Sequence, residues 1–189
     1  QIYLAPDGAL SWNLPTYIKT GSFSEYVSDP AKPVPYTEDV HFRRTREYMT
    51  DDQRFASRRP DVLTFETDVL DEDLTLAGPV IANLKVSISG TDADFVVKVI
   101  DVFPDNFQYS EANSSPTGRS GVASYPMNGY QMLVRGEIMR GKFRNSFTTP
   151  EPFKPNKIET VEFALPDVAH TFKKGHRLMI QVQSTWFPI

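Results

Sequence analysis

The sequence contains no cysteine among its 189 residues, which excludes disulfide bonds and thiolate metal sites. No apolar run approaches the roughly 18 residues that a membrane-spanning helix requires, and the first residues lack a charged-then-apolar signal segment. The net charge of −4 argues against nucleic acid as the main partner, because phosphate binding needs a basic surface. We therefore expect neither a nucleic-acid nor a membrane partner.

Catalytic and metal-binding motifs are also missing. The stretch nearest to a Gly-x-Ser-x-Gly nucleophile elbow is Gly118-Arg119-Ser120-Gly121-Val122, which lacks the final glycine and follows no predicted strand. The three histidines, His41, His170 and His176, form no His-x-x-x-His pair. We expect no catalytic residue, no metal site and no cofactor on this chain.

Three polar residues near predicted turns have a structural interpretation. His176 precedes a predicted strand in Lys174-Gly175-His176-Arg177, which favours a turn-and-edge histidine bonded to backbone. Asp92 and Asp94 resemble a calcium pair, but no further oxygen-rich residues follow at loop spacing. Aspartate side chains commonly stabilise tight turns, and we assign that role to both.

The first sixty residues combine aromatic side chains with little periodicity. Prolines interrupt any helix or inner strand, at Pro6, Pro15, Pro30, Pro33, Pro35 and Pro60. Long irregular segments inside a compact domain tend to be functional. We interpret residues 1–60 as an ordered arm whose aromatics pack along a surface of the remaining domain, residues 61–189.

From residue 61 onward the apolar residues alternate with a period of two. The cleanest case is residues 80–89, and residues 95–100 are apolar on both faces, which predicts a central strand. Further strands are predicted at residues 61–69, 130–139, 157–165 and 177–184. No helical stripe persists, so the fold class is all-β: an antiparallel jelly-roll β-sandwich with a long irregular N-terminal arm.

Arginines concentrate between residues 43 and 59, with acidic residues interleaved among them. The local charge is therefore close to zero, which favours a self-paired network that holds the irregular segment in place. The alternative is that one arginine meets a substrate carboxylate or an acidic partner.

The two ends of the chain indicate a fragment. It begins at Gln1 in a loop-like stretch and stops directly after Trp186-Phe187-Pro188. Natural termini tend to be polar and loosely held. We expect a domain cut from a longer protein and a sandwich that is incomplete at its C-terminal end; the alternative is the loss of a disordered tail.

Several stretches resemble one protein family, in the family's order and over nearly the whole chain. They are Glu25–Pro35, Met49–Arg54, Arg59–Leu63, Asp94–Asp105, Gly175–Val182 and Trp186–Pro188. They are similar to the C-terminal domain of cocaine esterases, glutaryl-7-aminocephalosporanic acid acylases and α-amino acid ester hydrolases, a family related to the X-Pro dipeptidyl-peptidases.

The resemblance implies a non-catalytic jelly-roll domain of a bacterial periplasmic or secreted serine hydrolase that acts on acyl esters or amides. The catalytic triad would belong to an α/β-hydrolase domain, which together with a helical cap domain of the same parent chain is the expected partner. This chain would brace the catalytic domain and line its substrate cleft through His41, Phe42 and Tyr48. The isolated domain should be inactive and should self-associate through its uncovered surface.

The alternative is a free-standing carbohydrate-binding jelly-roll module. Its stacking platforms would be Trp12, Tyr17 or Trp186. An exposed aromatic row on one sheet face would support it, whereas aromatics buried under the arm would support the accessory domain.

Overall fold

The computed structural model describes residues 1–15, 22–39, 41, 45–108 and 126–189. Within these ranges the regular secondary structure is mostly strand, with one four-residue α-helix, α1 (Arg54–Ser57), and 3-10 turns at Pro6–Gly8, Glu47–Met49 and Gly141–Phe143. The strands are β1 (Tyr3–Leu4), β2 (Leu10–Ser11), β3 (Val62–Glu66), β4 (Leu74–Val86), β5 (Asp94–Val102), β6 (Gln131–Arg140), β7 (Glu159–Phe172) and β8 (Arg177–Gln183). No helix in these ranges has the length and apolar character needed to cross a membrane.

Two antiparallel sheets form the body of the domain. One has four strands in the order β3-β8-β5-β6, and the other pairs the long strands β4 and β7. A small β1–β2 hairpin touches the edge of the larger sheet through a bridge between Ala9 and Glu66. The all-β class and its antiparallel sheets are confirmed; the complete jelly-roll connectivity stays a prediction.

The main core lies between the two sheets. Strand β5 contributes Phe95, Val97 and Val99 from one side, and β7 contributes Val161 and Phe163 from the other. Leu178 and Val182 of β8 also face this core, as the alternation of residues 177–184 predicts. Burying such large apolar side chains is the main stabilising term for a sandwich of this kind.

Strand β7 is longer than the sequence predicts. The predicted strand ended at Leu165, whereas β7 continues past Pro166 to Phe172. Pro166 lies where the register with β4 shifts between Gly78 and Val80, and proline is tolerated at such a bulge because no ladder bond is lost there. Conversely, β3 ends at Glu66 and leaves Val69 exposed.

A buried carboxylate joins β5 to the entry of β8. The side chain of Asp101 accepts hydrogen bonds from His170 Nε2 at 2.9 Å and from His176 Nδ1 at 2.8 Å. The His176 ring packs on Phe103 with centroids 4.4 Å apart. The prediction of an edge histidine was therefore wrong: β8 lies between β3 and β5, and the imidazole bonds a carboxylate rather than backbone.

We expect Asp101→Asn to destabilise the domain by about 1–3 kcal/mol, since one buried imidazole N–H then faces an amide donor instead of a carboxylate oxygen. Urea unfolding at pH 7 measures the change in the free energy of unfolding. The matched control is Asp167→Asn, whose side chain is exposed on β7. Equal unfolding midpoints for the two variants would show that the Asp101 carboxylate is dispensable.

Candidate functional site

The arm crosses the outer face of the four-stranded sheet and pairs with the C-terminal segment. The N–H of Tyr36 donates to the carbonyl of Phe187 at 2.8 Å, and the N–H of Phe187 donates to the carbonyl of Val34 at 2.9 Å. A further bond runs from the N–H of Val34 to Thr185 Oγ1 at 2.7 Å. Val34 itself is buried against Val62 of β3. These contacts fix the arm where it reaches the sheet.

Three aromatic rings form the second attachment. The Tyr48 ring lies 5.7 Å from the rings of both Tyr36 and Trp186, and it meets the indole edge-on at 85°. Trp186 is 8% exposed. It approaches β6 at Gly136, where a Cβ atom would lie 3.1 Å from the indole. A glycine at this position therefore allows the indole to seat on the sheet.

Lys98 lies directly beneath this aromatic cluster and is 0% exposed. Its Nζ donates to Gln53 Oε1 at 2.9 Å and sits 4.7 Å from the centre of the Trp186 ring. Gln53 is held in turn by its backbone N–H, which donates to the Gln131 carbonyl, and by its side-chain amide, which donates to the Asp51 carbonyl. Burial lowers the pKa of Lys98 to about 7.

The surroundings of Lys98 on the sheet are polar but uncharged. Its cross-strand neighbours are Gly136 on β6 and Gln181 on β8. The side-chain oxygens of Gln181 and Gln183 are buried and have no hydrogen-bond partner among the described residues. Sequence reasoning missed this cluster, although a lone charge in the apolar run from Phe95 to Ile100 was a visible signal.

A carboxylate joins the arm to β6 next to this cluster. Asp52 Oδ1 accepts the backbone N–H groups of Gln131 and Arg54, each at 3.1 Å, and Asp52 Oδ2 accepts from Arg54 Nε at 2.6 Å. The Tyr130 hydroxyl donates to the carbonyl of Thr50. The arm is thus tied to β6 by bonds that do not depend on Lys98.

The predicted self-pairing of arginines is confirmed at two positions. Arg54 pairs with Asp52, and Arg59 pairs with Asp61 through bonds of 2.8 and 2.7 Å, which lower the pKa of Asp61. Arg43 and Arg44 lie outside the described residues.

The structure places two of the three predicted cleft residues. His41 is exposed, and Tyr48 is half-buried in the aromatic cluster described above. Phe42 lies outside the described residues. Near His41, the pKa of the Asp51 carboxyl is raised, chiefly by burial and further by the neighbouring carboxylate of Asp39. The cleft-lining role of all three stays a prediction.

Polar groups elsewhere in the described ranges form local structural bonds. Asp92 accepts from Arg140 Nε at 2.9 Å and from the backbone N–H of Lys142 at 3.1 Å, and Asp94 accepts from Arg140 at 3.2 Å. The predicted turn role of both aspartates is therefore wrong: their side chains bond residues 46 to 50 positions away and tie the start of β5 to the end of β6. No cluster of three or more histidine, aspartate or glutamate side chains in these ranges could hold a metal ion. Ser120 lies outside them.

The aromatic platforms of a carbohydrate-binding module do not form a row in the described residues. Trp186 is buried under the arm, whereas Trp12 is exposed beside a shallow depression of about 240 Å³ that residues 70–74 also line. Tyr17 lies outside the described residues. An aromatic buried under the arm agrees with the accessory-domain interpretation.

Comparison with known proteins shows a match over nearly the whole chain. Residues 7–189 match the model of the X-Pro dipeptidyl-peptidase C-terminal non-catalytic domain. The chain is 31% identical over 169 residues to the cocaine esterase of Rhodococcus sp. (strain MB1 Bresler), which covers 89% of this chain and 25% of the esterase.

Two solved structures have the same fold over 99% of the chain. One is an aminopeptidase from the marine sediment archaeon Thaumarchaeota archaeon, with 41% identity and a TM-score of 0.83. The other is an α-amino acid ester hydrolase, with 42% identity and a TM-score of 0.83. The chain covers 29% of each of these two proteins, so it spans between a quarter and a third of the length of the relatives it matches.

We expect Gly136→Val to destabilise the domain by about 1–3 kcal/mol, because the added carbons collide with the Trp186 ring and force it off the sheet. Tryptophan fluorescence during urea unfolding measures both the stability and the environment of the indole. Gly90→Val is the control, since nothing lies within 4 Å of a Cβ at that position. If both variants lose the same stability, the close approach at Gly136 is not a constraint.

Proposed function

The chain belongs to the family of X-Pro dipeptidyl-peptidase C-terminal non-catalytic domains, and on this basis we propose that it serves a serine hydrolase that acts on acyl esters or amides. The parent enzyme would be an acylase, an amino-ester hydrolase or an X-Pro dipeptidyl-peptidase. Within it, this domain braces an α/β-hydrolase domain and lines the substrate cleft.

The names of the relatives support the reaction class. An esterase, an aminopeptidase and an ester hydrolase all match this chain at 31–42% identity. Each of these proteins is more than three times as long as the matched region, which leaves room for a separate catalytic domain. In a serine hydrolase the nucleophile, the base and the oxyanion hole would act through an acyl-enzyme.

The observation that carries the cleft role is how the loop of residues 37–47 is held. Tyr36 fixes one end by its backbone bond to Phe187, and Tyr48 fixes the other end by packing on Trp186. Between these anchors, His41 and Glu38 are exposed. A loop that is anchored at both ends and has exposed residues between its anchors suits a wall of a cleft shared with another domain.

Exposed apolar side chains support the bracing role. Eight of them belong to the arm and the adjoining C-terminal segment: Leu4, Trp12, Leu14, Phe23, Val27, Met49, Phe187 and Ile189. Covering such side chains stabilises an interface by about 25 cal/mol per Å² of apolar surface. An α/β-hydrolase domain of the same chain is the partner we propose for this surface.

We expect the purified 189-residue chain to show no hydrolysis of p-nitrophenyl acetate above the buffer rate. In the described residues the hydrogen bonds of His170 and His176 go to Asp101, and none joins either ring to a serine that could serve as the nucleophile. A colorimetric assay with a range of nitrophenyl esters measures this. Turnover that disappears in Ser120→Ala would contradict the non-catalytic role.

In the full-length protein, we expect His41→Ala, Phe42→Ala and Tyr48→Ala to change the preference between large and small acyl groups by roughly 10- to 200-fold in kcat/KM. That range is typical when one apolar contact in a pocket is lost. Kinetics with esters of graded acyl size measure the ratio.

The control for these variants is Lys85→Ala, an exposed position on β4 away from the arm. Thermal unfolding of every variant separates pocket effects from loss of structure. If kcat/KM falls equally for all esters while Tm drops, the three side chains are anchors only and the cleft role is refuted.

A further inference from the structure

Lys98 lies at the interface between the arm and the outer face of the sheet. Its ammonium group is withdrawn from water, and its single hydrogen bond in the described residues reaches Gln53 of the arm. Removing an ammonium from water costs several kcal/mol unless an opposite charge compensates for it. The charge state of Lys98 therefore matters for whether the arm stays on the sheet.

The strands that flank Lys98 supply no opposite charge. On β8 it faces Gln181, and on β6 it faces Gly136. The charged residues next to Gly136 are Arg135 and Glu137, which stand opposite core-facing residues of β5 and so lie on the other side of the sheet.

In the part of the arm that the structure describes, the covering segments supply none either. In the arm, Asp51 offers its backbone carbonyl to Gln53, and the Asp52 carboxylate is paired with Arg54. The Asp51 carboxyl lies near Glu38, Asp39 and His41, and the phenols of Tyr36 and Tyr48 belong to the aromatic cluster. Among the described groups, burial is the cause that lowers the pKa of Lys98.

We propose that Lys98 and Gln53 form a proton-operated latch: uncharged Lys98 holds the arm segment of residues 45–57 on the sheet, and protonation of Lys98 loosens it. The latch goes beyond the proposed function and does not rest on it, because it acts within this chain. Since the segment contains Tyr48, the latch also sets how firmly the loop of residues 37–47 is held at one end.

The direction of the pH effect follows from the two states of Lys98. Under the docked arm its pKa is about 7, whereas in water it returns to about 10.4. Between these values the detached state binds the extra proton, so each pH unit upward favours the docked arm by about tenfold. Below pH 7 both states are protonated, and the docking equilibrium no longer depends on this group.

Amide hydrogen exchange tests the latch on the 189-residue chain. The reporting amide is that of Gln53, which donates to the Gln131 carbonyl across the interface. After correction for intrinsic exchange rates, its protection should rise roughly 30- to 100-fold between pH 7 and pH 9. In Lys98→Met, which keeps the length of the side chain without its charge, the rise should vanish and protection at pH 7 should be higher.

The control is Lys85→Met. Lys85 is exposed on β4 and bonds Thr160 of β7 at 2.6 Å, so it belongs to the sheet that the arm does not cover. It should keep the pH dependence of the unsubstituted chain. A pH dependence at Gln53 that survives in Lys98→Met overturns the latch, and so does a flat profile in the unsubstituted chain.

A second measurement needs no substitution that might prevent folding. With ¹³C-labelled lysine, one side-chain resonance should titrate with a midpoint near pH 7, well below the remaining lysines. Nuclear Overhauser contacts with the Trp186 ring, whose centre lies 4.7 Å from Lys98 Nζ, identify it. If every lysine of the folded chain titrates above pH 9, Lys98 is charged at neutral pH and the proposal fails, whatever the activity of the parent enzyme.

Discussion

Strand β5 is buried on both faces, and this single constraint organises the domain. Phe95, Val97 and Val99 need a cover on one side, and Val96 and Ile100 need another on the opposite side. The β4–β7 sheet covers the first face. The second face is covered by the irregular arm together with the end of the chain, because the small β1–β2 sheet meets only the edge of the larger sheet at Glu66. The arm is therefore part of the core rather than an appendage.

An irregular cover must overcome a large conformational entropy, about 1–2 kcal/mol for each ordered residue. Few of the arm's backbone groups pair with a strand. The free energy that offsets the lost conformational entropy therefore comes from a small number of side-chain and backbone contacts. The aromatic cluster around Trp186, the Asp52 carboxylate on β6 and the pairing of Tyr36 with Phe187 supply it. Lys98 opposes them when charged, which makes the arm less stable than the sheets beneath it.

Period-two alternation was enough to predict the antiparallel sheets and the central position of β5, since a strand apolar on both faces has to lie inside a sheet. Alternation does not encode which side chains, distant from each other in sequence, bond to one another. The Asp101 side chain bonds two histidines that are 69 and 75 residues away, and Gln53 reaches Lys98 across 45 residues. The extension of β7 past Pro166 was equally hidden, because a proline is acceptable there only through the register shift against β4, where β7 carries one residue more than β4.

The same arrangement explains why a binding loop would be built on this arm. A loop that closes a cleft has to be positioned precisely, yet loops that act on ligands are drawn from the less stable parts of a structure. Under the roles proposed above, the loop of residues 37–47 would meet both demands, because its anchors at Tyr36 and Tyr48 rest on the sheet while protonated Lys98 would weaken the anchoring at one end. A hydrophobic residue at position 98 would make the sheet more stable and the loop less adjustable. On this interpretation, the buried lysine affects how firmly the arm is held and adds nothing to the stability of the sandwich.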